Sequence, residues 1–160
     1  MLDISGIGER RLQIEWVSSA EAQRFVDTAV AITDAVKQQG KFVPEDFQDE
    51  LEAAEMTLKN ESIRWLVGKE TNITSNGDVY GRAWDADDYE AIIDSEVERE
   101  YQKNLIYLSI KNGNRSVRDV GKNTGLELLR VSYLLADLER TNRVEFSGME
   151  ERKPVFSAIQ

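Results

Sequence analysis

The sequence predicts a mainly α protein with short strands (α+β). Apolar residues recur three and four apart in several segments, each opened by a Ser, Thr, Asp or Pro start signal. Strict apolar–polar alternation is confined to short stretches. The 160 residues include no cysteine and no histidine, so neither disulfides nor a zinc finger organises the fold.

Charge divides the chain. Residues 1–43 carry 6 acidic and 5 basic side chains, residues 44–100 carry 17 and 5, and residues 101–160 carry 7 and 10. With the elements below, this defines three regions: a strand–helix segment over 1–43, an acidic helical linker over 44–86, and a C-terminal domain over 87–160.

Arg11 to Trp16 (RLQIEW) alternates, with Leu12, Ile14 and Trp16 on one side and Arg11, Gln13 and Glu15 on the other, the period of a half-buried strand. Ser18 followed by Glu21 is a capping-box arrangement, and a helix is expected from about Ser19 to Gln39, stopped by Gly40. Its apolar stripe is Ala22, Phe25, Val26, Ala29, Val30, Ile32, Thr33 and Val36.

Pro44, with Glu45, Asp46 and Asp49, opens a helix expected to end near Val67–Gly68. Asn76–Gly77 between Ile73 and Val79 is a hairpin signal. The run Asp85, Asp87, Asp88, Glu90 fails as an EF-hand, because Tyr89 and Glu90 stand where a ligand and a glycine are needed. Asp85 or Asp87 is read instead as the cap of a helix running to Asn112–Gly113.

Ser116 with Asp119 opens a short helix broken at Asn123–Gly125, and Thr124 with Glu127 reads as a further capping box for a helix over about Leu126 to Thr141. Arg143–Phe146 and Pro154–Ile159 read as two strands around Ser147–Gly148. Helix, short helix, turn, helix, hairpin is a winged-helix-like order. As an alternative function this order implies a DNA-binding transcriptional regulator, with Arg115, Arg118, Lys122, Arg130, Arg152 and Lys153 as nucleic-acid contacts. Against it, the helix that would enter the major groove opens on Glu127, and the chain carries −10 overall.

Residues Gly8 to Gly40 also resemble the C-terminal end of the delta subunit of methyl-viologen-reducing hydrogenase. Glu15, Trp16, Val17, Ser18, Glu21 and Phe25 stand where that family places a Leu-Glu-Trp strand end, an Ile/Val-Ser-Ala/Ser step and a helix closing in Gly. The resemblance implies a docking subunit of an anaerobic electron-transfer complex of the hydrogenase (or formate dehydrogenase)–heterodisulfide-reductase type, whose partner subunits carry iron–sulfur clusters and FAD. The family's own [2Fe–2S] cysteines precede the matched segment, and no cysteine stands here, so that function does not carry over. The resulting expectation is a non-catalytic, cytoplasmic accessory subunit that binds no cofactor, metal or membrane. Arg11, Glu15, Trp16, Ser18, Glu21 and Phe25 form its partner-binding corner, with Arg11 and Glu15 facing outward. No nucleophile–base pair appears, and Gly6-Ile7-Gly8 is too short for a dinucleotide fingerprint.

Overall fold

The structure is a computed structural model that describes residues 1, 3–7, 11 and 13–159. It is mainly helical with a two-stranded antiparallel sheet at the C-terminus. The chain forms two compact units, Met1–Leu51 and Glu52–Gln160.

The first unit holds helix α1 (Ala22–Gln39) and a 3-10 turn over Pro44–Phe47, with Pro44 at its first position. Gly40 follows α1 at φ 72°, a backbone conformation that suits glycine. No residue of α1 is buried. The unit is knotted around Arg11. Its Nε donates to the Ile7 carbonyl at 2.8 Å, and Nη1 and Nη2 donate to the Gly40 and Gln39 carbonyls at 3.2 and 3.3 Å. These carbonyls end α1, where backbone acceptors lack partners and the helix dipole is negative. The guanidinium also lies 5.4 Å from the centre of the Phe42 ring, which stacks on Phe47 at 5.5 Å.

The second unit contains the end of α2 (Gln48–Lys59), then α3 (Glu61–Thr71), α4 (Ala86–Lys111), α5 (Val117–Thr124), α6 (Leu128–Arg140), β1 (Val144–Glu150) and β2 (Lys153–Ala158). Asp85 caps α4 by accepting from the Asp87 and Asp88 amides, and Ser116 caps α5 by accepting from the Asp119 amide at 3.2 Å. The apolar core joins Ile106 and Ile110 of α4, Val120 of α5, Val131, Leu134, Leu135 and Leu138 of α6, and Val144 and Phe156 of the hairpin. The second half of α4 is buried on several sides, since Tyr101, Asn104, Ile106, Leu108, Ser109 and Ile110 are all enclosed. The outer edge of β2 is also engaged: Ser116 bridges Val155, and the Phe156 amide donates to the Arg115 carbonyl at 2.9 Å.

Several expectations are corrected. No strand forms over residues 13–18, and Leu12 lies outside the described residues. An alternating segment becomes a strand only beside a partner edge, and here Arg11 is drawn to the end of α1 while Ile14 and Trp16 stay exposed. Arg11 therefore does not face outward. α1 begins at Ala22 because only half of the capping box forms: Glu21 Oε2 accepts from the Ser18 amide at 3.1 Å, while Ser18 Oγ accepts from Ala20.

The single helix expected from Pro44 to Gly68 is broken at Asn60, whose side chain accepts from the Ser62 and Ile63 amides and starts α3 anew. α3 continues past Gly68 into a π-helical turn, Asn72–Asn76. The Asn76–Gly77 hairpin is absent. Asp78 instead clamps Arg82, accepting from its amide at 3.0 Å and from its Nε at 2.8 Å. Thr124 donates to the Val120 carbonyl rather than boxing with Glu127, which caps α6 without a side-chain bond. The hairpin turn falls at Glu151–Arg152, both at positive φ as a two-residue turn of this hand requires, while Ser147–Gly148 is a bulge inside β1.

Two substitutions test the second unit. Gly121 lies where α5 meets α6, and a Cβ there would fall 2.7 Å from a Leu128 methyl and 3.1 Å from the Leu126 carbonyl oxygen. Gly121→Val should cost about 1–3 kcal/mol by overpacking, read as a lowered melting temperature. Asn104 donates to Thr57 Oγ1 at 2.9 Å and accepts from Arg143 Nη1 at 2.8 Å. Asn104→Leu should cost about 2–3 kcal/mol by orphaning both partners; a gain in stability would show that packing outweighs them.

Candidate functional site

The sequence-predicted corner is a surface. Trp16 is 87% exposed and Phe25 64% exposed, and Val26, Val30 and Val36 continue the apolar stripe of α1 outward. Glu15, Ser18 and Glu21 are exposed beside them, with Glu21 paired to Arg24 at 3.5 Å. Arg11 is half-buried against the end of α1, as described above. The partly formed capping box fixes the chain entering α1 and so holds Trp16 near the start of the stripe.

The second unit has a counterpart on α6. Helical period sends Val131, Leu134, Leu135 and Leu138 inward. The outward residues are Leu129, 82% exposed, Tyr133, 61% exposed, and Ser132 and Ala136. Cations are scarce on this face. Arg130 is turned to Gln102, its Nε donating at 2.7 Å. Arg115 pairs with Glu150 at 2.6 Å, and Lys153 with Glu151 at 3.5 Å. Arg152 sits in the hairpin turn, and Lys122 in the last turn of α5. Arg118 and Lys153 share a small cleft of about 170 Å³ with Leu128 and Pro154.

A larger feature went unmarked in the sequence: an open groove of about 720 Å³ lined by α2, α3, α4, α6 and Arg143. Asp137 is its hub. Its carboxylate pairs with Arg140, with Arg99 at 2.8 Å and with Lys103 at 3.7 Å. Glu100 pairs with Lys103 at 2.8 Å and Arg143 at 3.5 Å, and Arg143 also lies over the Tyr107 ring at 4.7 Å. A hydrogen bond from Arg140 chiefly holds the Asp137 carboxyl below the usual carboxylate range; partial burial opposes this, and the charges of Lys103 and Arg99 add to it. The groove draws on residues up to 87 positions apart, Met56 to Arg143, so no local pattern could have shown it. Among the described residues no group of three or more carboxylates is placed to hold a metal ion, and no helix is long and apolar enough to cross a membrane.

Comparison with protein-family models, with curated proteins and with solved structures finds no match to this chain.

The hub makes a pH prediction. Because the Asp137 pKa is lowered in the folded state, its stabilisation is present above the ordinary carboxylate value of about 4 and is lost as pH falls through the folded value. Asp137→Asn should melt well below wild type at neutral pH, and the gap should close as pH drops below about 4. A gap that stays constant across thermal melts in this range would show that the charge is not what Asp137 contributes.

Proposed function

We propose that this chain is a non-catalytic docking subunit that joins larger proteins through exposed apolar surface. The observation that carries the reading is α1: an 18-residue amphipathic helix with no buried residue, its stripe continued by Trp16. Apolar stripes of this kind are ordinarily buried against something. Aromatics held on an ordered segment are the side chains that most often anchor a protein interface. The resemblance of residues 8–40 names the class of partner, a redox assembly of the hydrogenase (or formate dehydrogenase)–heterodisulfide-reductase type, with iron–sulfur and FAD groups on the other subunits and none on this one. In this reading the protein works in the cytoplasm.

The helices α4, α5 and α6, followed by the β1–β2 hairpin and braced by the Ser116–Val155 bridge, support a winged-helix-like reading of the C-terminal region. Used as a protein-docking module, it would present Leu129 and Tyr133 where a DNA reader presents Arg, Asn or Gln. The regulator reading keeps one favourable observation, the cleft shared by Arg118 and Lys153 near the start of α5 and the hairpin.

Both readings meet in one experiment. Trp16→Ser with Phe25→Ser should leave circular dichroism and melting temperature at wild-type values, since both rings are exposed. Isolated from its native source, the wild-type chain should carry partners with flavin and iron–sulfur absorbance, and the double variant should lose them. A wild-type chain that elutes alone, or a double variant that keeps its partners, overturns the docking role of this segment. Salt-sensitive binding to duplex DNA would favour the regulator instead.

A further inference from the structure

The groove of the second unit has a charge balance opposite to that of the chain. Arg99, Lys103, Arg140 and Arg143 line it against three carboxylates, Glu96, Glu100 and Asp137, with Lys59 on the wall held by Glu55, while the whole chain carries −10. The carboxylates are shared rather than matched one to one: Asp137 serves three cations and Glu100 two. A guanidinium has five N–H donors, so sharing leaves donors over. Arg99 Nε is enclosed and has no acceptor, and Arg140 is 76% exposed. Enclosed donors are ordinarily satisfied, so Arg99 Nε stands out. Facing the cations are the apolar side chains of Met56, Ile63 and Leu66.

We propose that this groove binds a small organic anion, a phosphate monoester or dicarboxylate carried on an apolar body. The surplus of one positive charge sets the sign of the ligand. The planar forks of arginine match two-oxygen acceptors of either kind. A volume of about 720 Å³ lies within the range of small-molecule sites. A bare inorganic anion would leave the Met56–Ile63–Leu66 wall wet, so the body contributes to binding as well as the head.

The test titrates the full chain with phenyl phosphate and with phthalate, using inorganic phosphate and benzyl alcohol as the two halves of the ligand, and follows amide resonances by NMR. At least one organic dianion should bind tenfold or more tighter than either half, moving the amides of Arg99, Asn104 and Thr141; which of the two binds distinguishes the head groups. Arg140→Gln leaves Arg99 and Lys103 on Asp137, so it should remain folded and weaken binding about tenfold. Arg152→Gln at the hairpin turn should change nothing. Shifts scattered over the surface, equal losses in the two variants, or no saturable binding of either dianion would overturn the site. The measurement uses the chain alone, so its failure leaves the docking reading untouched.

Discussion

Asn104 is 1% exposed in the second half of the 26-residue helix α4, a depth at which an apolar side chain is the usual occupant. Its amide instead joins three parts of the chain. Thr57 of α2 accepts from it and its hydroxyl donates to the Ala53 carbonyl, and Arg143, at the entrance to β1, donates to it. A half-satisfied network of this kind would be worse than an apolar core, so these hydrogen bonds favour the arrangement in which the three elements meet at Asn104. Arg143 then lies over Tyr107 and reaches Glu100, and its carbonyl accepts from the Ile159 amide beyond the end of β2. The groove shares these elements: Arg99 and Lys103 stand on the helix that carries Asn104 and Arg143 is bonded to it, while Arg140 comes from α6 and Lys59 from α2.

Elements governed by neighbours in sequence were legible. Asp85, Ser116, Gly40 and Pro44 each act through backbone groups within four residues, and each stands at an element boundary as read. Elements that depend on a distant partner were not. The Arg11–Trp16 alternation has strand period but no edge to pair with. The Ser147–Gly148 dipeptide has turn composition, yet the register pairing Phe146 with Phe156 leaves it inside β1 as a bulge. Asn60 was a readable cap that the continuing apolar pattern on either side concealed.

The candidate site divides the same way. Trp16 and Phe25 could be named from residue type and spacing, but whether they fill a core or meet a partner is a property of what surrounds them. The structure gives exposure for both. Asp137 and Arg140, three apart near the end of α6, have no local pattern that sets them apart; packing against α4 turns them into one wall of a groove.

That assignment follows from the period of α6. With 3.6 residues per turn, thirteen residues sort onto three faces. Val131, Leu134, Leu135 and Leu138 enter the core, Asp137 and Arg140 turn to the groove, and Leu129, Ser132, Tyr133 and Ala136 look outward. A helix placed to read DNA must keep its third face cationic or amidic, and the phosphates beside it penalise acid. Here that face is apolar, Glu127 stands at its start, and the helix's Arg130 is turned aside to Gln102. The positive charge that α6 does hold, Arg140, is committed through Asp137 to the groove side. Cations are thus gathered toward a concavity of small-molecule size while the outward ridge is left largely apolar.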